Sequence, residues 1–229
     1  MEAGYRLEKK FFSPEKIKLI KNDMEKIFSH FDSGSGDVDK KIIRIFEKNF
    51  DAFIGCSHLC QKLPSVYALA SDGRIIKYLK KIGLSFPVMN TKPLVSFSSK
   101  KTSKSEFYWK VPAHQDFASN LGSDNGVTCW IPLVNINHKL GPLEIAPYSQ
   151  NYGLLEHHGT PPILINSDFK FVSMPMNIGD VLFFNTKTVH KSGVNLTDDE
   201  IRWSLHFRYN DANDVSFIEK NYPRNRTND

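Results

Sequence analysis

Hydrophobic positions in the first third of the chain recur with the period of an α-helix. The segment SPEKIKLIKNDMEKIFSH, from Ser13 to about His30, places Ser13 at a predicted N-cap and Pro14 in the first turn. Its apolar stripe consists of Ile17, Ile20, Met24, Ile27 and Phe28. A second amphipathic stretch runs from about Val38 to Lys62, and a third from Arg74 to Ile82. These patterns predict a mostly helical N-terminal third.

After Pro87 the pattern changes to short runs rich in Val, Ile, Phe and Thr, separated by Gly, Asn, Asp and Pro. Such runs are typical of antiparallel β-structure. The predicted strands are PLVSFSS, GVTCWIPLVNI, LEIAP, FVSMPM, DVLFFNT, VHKSG and IRWSLHFRYN. Helices followed by strands favour helices that brace one face of a β-sandwich or open barrel. We predict one domain over residues 1–229, with about 11–93 as mostly helical support and about 94–210 as the β core.

The last predicted strand alternates between apolar and polar residues over eight positions. The apolar positions are Trp203, Leu205, Phe207 and Tyr209, and the polar positions are Arg202, Ser204, His206 and Arg208. We expect the apolar side to pack on the helices. The polar side must face solvent or a wet cavity, because two arginines and a histidine in a dry core would be unfavourable.

Composition and charge exclude few classes of protein. The formal net charge is +5 with a pI near 9.0, but lysines and acidic residues are mixed along the chain, so we expect no nucleic-acid partner. No uninterrupted apolar run reaches about 18 residues, so no membrane span is predicted. The N-terminus is charged and lacks signal-peptide features, which favours a cytoplasmic protein. Three cysteines make a disulfide framework improbable.

Two histidines and an aspartate form the candidate metal site. His114 and Asp116 are two residues apart in WKVPAHQDFAS, and His190 follows an apolar run 76 residues after His114. An H-x-D pair alone is weak evidence, and an ordinary structural loop is the alternative. Two imidazoles and one carboxylate together form the facial triad that suits non-haem Fe(II) and leaves positions open for O₂ and a 2-oxo acid.

A 2-oxo diacid needs an anchor for its distal carboxylate. Arg202 and Ser204 supply a guanidinium and a hydroxyl on the polar face of the last strand, and Arg202 lies twelve residues after His190. The ordered pattern is therefore H-x-D, then H, then R-x-S.

Longer stretches resemble the phytanoyl-CoA dioxygenase-like Fe(II)/2-oxoglutarate oxygenases. They are FFSPEKIKLIKNDMEKI, SDGRIIKYLKKIGL, VTCWIPLVNINHKLGPLEIAPYSQ and GDVLFFNTKTVHKSGVN, which together extend from about Phe11 to Tyr209. The resemblance implies a mainly β fold with bracing helices, in which the core is a double-stranded β-helix (jelly-roll, cupin-like). It also implies Fe(II), 2-oxoglutarate and O₂ as cofactors.

The resemblance assigns roles to individual residues. It implies that His114, Asp116 and His190 bind iron, that Arg202 binds the C5 carboxylate of 2-oxoglutarate, and that Ser192 and Trp130 line the same pocket. Ser204 is added from strand geometry, and an upstream contact is expected from PLVSFSS, where Ser96 is one candidate. The loop between His190 and Arg202 is one residue longer than the family pattern, so we expect GVNLTDDE to absorb an insertion.

Residues before the H-x-D pair and on the last strand are the candidate substrate contacts, namely Tyr108, Trp109, Lys110, His206 and Arg208. The alternatives are that the aromatics pack the barrel rim and that His206 and Arg208 support the site by hydrogen bonds. We predict a 2-oxoglutarate-dependent non-haem iron dioxygenase that hydroxylates a small or carrier-linked metabolite, possible substrates being sugar-like or anionic. Related halogenases have a small residue in place of Asp116, so hydroxylation is favoured over halogenation. The alternative is a non-enzymatic jelly-roll module that binds a metal or ligand.

Overall fold

Helices precede strands along the chain. The structure, a computed structural model, describes residues 1–102, 111–159, 162–166 and 168–223. The helices are α1 (Pro14–Phe31), α2 (Val38–Lys48), α3 (Phe50–Gln61), α4 (Pro64–Ala70), α5 (Gly73–Lys81), α6 (Asp116–Asn120) and α7 (Val215–Glu219). None of these helices is long and apolar enough to cross a membrane.

The strands form two larger antiparallel sheets and one short pair. They are β1 (Tyr5–Glu8), β2 (Pro87–Met89), β3 (Leu94–Ser98), β4 (Val127–Pro132), β5 (Leu143–Ile145), β6 (His157–His158), β7 (Ile163–Leu164), β8 (Val172–Met174), β9 (Val181–Asn185), β10 (His190–Ser192) and β11 (Arg202–Asp211). The large sheet has the order β1-β9-β4-β11-β2, and β3 also pairs with β11. The small sheet has the order β10-β5-β8, and β6 pairs with β7.

The helices cover the outer face of the large sheet, as the alternation along β11 predicts. All four apolar residues of that strand are at most 1% exposed and belong to one core with the helices. The Trp203 ring contacts those of Phe28 and Phe97, and the Tyr209 hydroxyl donates to the Ala70 carbonyl at 2.6 Å. Full burial of a large apolar side chain stabilises the folded state by roughly 1.5–3 kcal/mol, so packing against the helices stabilises the position of β11.

A second core fills the space between the two sheets. Its members from the large sheet are Trp130, Leu182 and Phe184, and those from the small sheet are Leu143, Ile145 and Met174. The polar positions of β11 lie on this inner face of the large sheet, because Trp130 stands opposite His206 in the β4–β11 register. The polar side of β11 therefore lines the interior between the sheets and is not a solvent-exposed surface.

Several elements differ from the sequence prediction, which did not include α4, α7, β1, β2, β6 and β7. The helix predicted from Val38 to Lys62 is interrupted at Asn49, where φ is −153° and ψ is 88°. Asn49 ends α2 and caps α3, its side chain accepting a hydrogen bond from the Ala52 amide at 3.0 Å. Strand β1 was not predicted, because the charge of the N-terminal segment hides the alternation of Tyr5 and Leu7, which pack against the inner core.

Asp39 ties the helical layer to the start of β11. Its carboxylate accepts hydrogen bonds from the Ile201 amide at 2.9 Å and from the Trp203 indole nitrogen at 2.8 Å. Burial raises the pKa of Asp39 above its ordinary value, although both hydrogen bonds act in the opposite direction. Both donor residues are at most 1% exposed, so neither donor has easy access to water if the carboxylate is removed.

We predict that Asp39→Ala lowers the free energy of unfolding by about 1–3 kcal/mol, because two buried donors lose their acceptor. Urea unfolding followed by circular dichroism measures this change. The matched control is Asp23→Ala, since Asp23 forms an exposed ion pair with Lys26 and its loss should change stability by less than about 1 kcal/mol. Equal losses in the two variants would contradict the tethering role of Asp39.

Candidate metal centre and cofactor pocket

An antiparallel β-bridge brings the three predicted metal ligands together. The His114 amide donates to the His190 carbonyl and the His190 amide donates to the His114 carbonyl, both at 3.0 Å. Asp116 follows as the first residue of α6, with one carboxylate oxygen 3.9 Å from His114 Nε2 and the other 4.0 Å from His190 Nε2. In the part of the chain that the structure describes, these three residues form a group that could hold a metal ion, because their ligand atoms all lie within 4.8 Å of one another.

Backbone carbonyls fix the orientation of both imidazoles. His114 Nδ1 lies 2.8 Å from the Pro112 carbonyl, and His190 Nδ1 lies 3.0 Å from the Thr188 carbonyl. A carbonyl only accepts, so each Nδ1 carries the proton and each Nε2 keeps a lone pair for a metal. Burial lowers the pKa of both imidazoles, that of His190 to about 3, so both are neutral near pH 7.

The Asp116 carboxylate is buried and ionised. It is 3% exposed, and it accepts hydrogen bonds from Thr128 Oγ1 at 2.6 Å and from Arg208 Nη2 at 2.8 Å. Burial raises the pKa of Asp116, but the Arg208 guanidinium and the two histidines together have the larger, opposite effect and hold that pKa well below its usual range. A buried carboxylate beside two imidazole lone pairs is a donor set that fits a divalent cation such as Fe(II).

Arg202 is a buried cation on the same inner face. It is 2% exposed, and its guanidinium donates to the Gly141 carbonyl and to Ser192 Oγ, the latter at 3.4 Å. Within the described ranges, its Nε has no hydrogen-bond partner, and the partners of its other nitrogens are the Gly141 carbonyl and Ser192 rather than a carboxylate. Burial lowers the pKa of Arg202 to about 10, which leaves it charged at pH 7. A buried guanidinium without a counter-ion is unfavourable, so the position fits the carboxylate of a ligand.

Close backbone packing places Arg202 beside Ser192. Gly141 has φ +70°, and a Cβ there would lie 2.7 Å from the Asn195 amide nitrogen. The Asn195 side chain donates to the carbonyls of Ser98 and Glu200, at 3.1 and 2.9 Å, and so closes the loop between β10 and β11. Arg202 therefore lies beside Ser192, and the expectation that this loop absorbs an additional residue stays a prediction.

Trp130 and Ser204 also lie on the inner face, and their contact with 2-oxoglutarate stays a prediction. The Trp130 indole is fully buried, and its Nε1 has no hydrogen-bond partner among the described residues. The Ser204 hydroxyl lies 3.1 Å from His206 Nε2 and is hydrogen-bonded to it. Ser96 stands opposite Ser204 in the β3–β11 register, so the candidate upstream residue shares this face.

The predicted substrate contacts divide into two groups. Tyr108, Trp109 and Lys110 lie outside the described residues, so their role stays a prediction. His206 and Arg208 lie on the inner face, where His206 bonds to Ser204 and Arg208 forms an ion pair with Asp116. Burial lowers the pKa of His206 well below its ordinary value, so its ring is neutral. The interactions of both residues match the supporting role that the sequence left as an alternative, and contact with substrate stays a prediction.

The sequence did not identify Gln115 and Thr128 as parts of the site. Gln115 is 1% exposed, and its side-chain nitrogen donates to the carbonyls of Gly153 and Lys187 at 2.8 and 2.6 Å. Its side-chain oxygen accepts from the Leu155 amide at 2.8 Å. The sequence does contain an indication of this role, because the side chain of the middle residue in an extended H-x-D segment points away from the side chains of the two ligands. The expectation of one extended segment was only partly right, because Asp116 already belongs to α6.

Comparison with known families gives one match over most of the chain. A model of the phytanoyl-CoA dioxygenase (PhyH) family matches residues 1–204. The 1-deoxypentalenic acid 11-beta-hydroxylase of Streptomyces arenae is 31% identical over 117 residues, which cover 44% of this chain and 41% of the relative. The chain therefore spans less than half the length of this curated relative.

Solved structures share the fold at low sequence identity. The epimerase SnoN, crystallised with Fe3+, alpha ketoglutarate and nogalamycin RO, has a TM-score of 0.65 and 20% identity over 92% of this chain and 80% of that chain. The non-heme alpha ketoglutarate dependent carbocyclase SnoK has a TM-score of 0.64 and 17% identity over 100% of this chain and 90% of that chain. The predicted fold class, a helix-braced jelly-roll core, is therefore confirmed.

We predict that Gln115→Ala lowers the free energy of unfolding by about 2–4 kcal/mol. The substitution leaves two carbonyls and one amide without a partner in a partly buried loop junction. The matched control is Gln150→Ala, because the Gln150 side chain donates only to exposed partners, the Glu2 carbonyl and Asn151. A Gln115→Ala protein as stable as the Gln150→Ala protein in urea would contradict this role.

Proposed function

Because this chain belongs to the phytanoyl-CoA dioxygenase family, we propose that it hydroxylates a small or carrier-linked metabolite with Fe(II), 2-oxoglutarate and O₂. The enzyme class and the cofactors predicted from the sequence are those of this family. The observation that carries the proposal is that one face of β11 contacts the His114, Asp116 and His190 cluster through Arg208 and also holds Arg202. Among the described residues, the Arg202 guanidinium has hydrogen-bond partners but no carboxylate partner.

The metal would be held by three side chains. His114 and His190 offer Nε2 lone pairs, and Asp116 offers a carboxylate whose charge makes the donor set favourable for a divalent cation. When bound, the iron and 2-oxoglutarate supply the oxidation: O₂ and 2-oxoglutarate give succinate, CO₂ and one oxygen atom for the substrate. The protein contributes binding, orientation and a site shielded from bulk water.

The inner face of β11 supplies the 2-oxoglutarate pocket. Arg202 would pair with the distal carboxylate, and Ser192, already in contact with the guanidinium, would donate to the same group. The indole N–H of Trp130 has no partner among the described residues and is available to donate to the ligand. Ser204 would act through its hydrogen bond to the neutral His206, which keeps that ring in place.

Hydroxylation is the outcome that we propose among several oxidations. The curated relative is a hydroxylase of 1-deoxypentalenic acid, which supports a small-molecule substrate. Structures with the same fold are named as an epimerase and a carbocyclase, so the fold by itself selects no outcome. The carboxylate of Asp116 occupies the position at which a halogenase needs space for halide, which supports transfer of oxygen.

We predict that the Fe(II)-reconstituted protein converts 2-oxoglutarate to succinate in air, slowly even without a primary substrate. The His114→Ala variant should abolish succinate formation, because it removes one of two nitrogen ligands. Succinate is measured by liquid chromatography and mass spectrometry. The matched control is His138→Ala, an exposed loop residue outside the cluster, which should retain wild-type turnover. Retained turnover in the His114→Ala protein would sink the assignment.

We also predict that 2-oxoglutarate added to the anaerobic Fe(II) protein produces a metal-to-ligand charge-transfer band. Arg202→Gln should raise the dissociation constant of 2-oxoglutarate by roughly 30-fold or more, because the buried carboxylate loses its partner. Arg74→Gln is the matched control, since Arg74 pairs with Asp72 on the surface. A non-enzymatic jelly-roll module would bind the metal without giving this band in the wild-type protein.

A further inference from the structure

Two donors from neighbouring strands hold the Asp116 carboxylate. Arg208 on β11 and Thr128 on β4 stand directly opposite each other in the antiparallel register, so both side chains project from the inner face of the sheet. Arg208 Nη2 donates to one carboxylate oxygen at 2.8 Å, and Thr128 Oγ1 donates to the other at 2.6 Å. Each oxygen of Asp116 therefore has one donor on the side of the large sheet.

We propose that Arg208 is a positioning residue for Asp116, which it holds in the orientation that a metal requires. This inference rests on the proposed function, because it assumes that the cluster binds a metal. In the observed orientation one carboxylate oxygen lies 3.9 Å from His114 Nε2 and the other 4.0 Å from His190 Nε2. Rotation of the carboxylate would break the bond to Arg208, the bond to Thr128, or both.

The geometry of an arginine suits this task. The guanidinium is a planar fork whose donors have fixed directions, whereas a lysine ammonium is a point charge on a flexible stem. The Arg208 side chain is only 16% exposed, so the packing around it restricts its movement. Groups that hydrogen-bond to metal ligands typically change metal affinity by about 10- to 100-fold when they are removed.

The charge of Arg208 has two opposing effects on metal binding. It repels a bound cation, but it also stabilises the ionised carboxylate of Asp116, with which it forms an ion pair. Arg208→Lys keeps a positive charge and removes the planar fork. If Arg208 acts only through its charge, the lysine variant should bind metal as the wild type does, whereas if Arg208 holds the carboxylate in place, the lysine variant should bind metal more weakly.

The test is a titration of the metal-free, full-length protein with Co(II), followed by the visible d–d absorption of the bound ion. We expect Arg208→Gln to raise the dissociation constant by roughly 10- to 100-fold and to change the band shape. Arg208→Lys should lie between Arg208→Gln and the wild type, because it restores the charge without the fork. Thr128→Val should also weaken binding, and the combined variant should be non-additive, since both donors act on one carboxylate.

Arg74→Gln is the matched control, because it makes the same chemical change at a surface ion pair. If Arg208→Gln does not fold by circular dichroism, Arg208→Lys and Thr128→Val decide the question, and wild-type affinity in both would overturn the inference. Equal or tighter Co(II) binding by a folded Arg208→Gln protein would overturn it directly. A wild-type protein that does not bind Co(II) would instead overturn the metal site of the proposed function.

Discussion

The two-residue period of β11 divides the molecule into a side packed on helices and a side that carries the candidate site. The outward side chains are buried against the helical layer, and the inward ones are Arg202, Ser204, His206 and Arg208. A shift of the register by one residue would exchange the two faces and place three basic side chains in the helical core. The apolar interface with the helices therefore fixes where the polar residues of the site lie.

Charge balance inside the barrel follows from this arrangement. Arg208 compensates Asp116, and the imidazoles of His114 and His190 stay neutral, so the metal cluster carries little net charge before a cation binds. In the described part of the chain, Arg202 donates to the Gly141 carbonyl and to Ser192 and has no carboxylate partner. Polar groups that are buried without a partner reduce stability, and proteins retain them mainly where a ligand satisfies them.

Sequence patterns predicted the alternation of β11, the fold class and the cluster of His114, Asp116 and His190, because each depends on a local period or an ordered motif. The contact of Arg208 with Asp116 could not be predicted from the sequence. It depends on the register between β4 and β11, which places Thr128 opposite Arg208 and which no local pattern encodes.

Two predictions were incomplete because they considered only the hydrophobic pattern or the spacing of a motif. The amphipathic stretch after Val38 is continuous in hydrophobicity, but Asn49 prefers to cap a new helix and divides it into α2 and α3. Gln115 resembles a spacer in the H-x-D motif, yet its three hydrogen bonds join the H-x-D segment to two distant loops. In both cases the deciding interaction is a side-chain hydrogen bond, which the hydrophobic pattern does not report.

We propose that the interior between the two sheets binds the metal and 2-oxoglutarate side by side. A crystal structure of the anaerobic protein with Fe(II) and 2-oxoglutarate tests this arrangement. We expect iron bound by His114, Asp116 and His190, with the distal carboxylate of 2-oxoglutarate at Arg202. Iron at other residues, or a 2-oxoglutarate carboxylate that does not contact Arg202, would contradict the proposal.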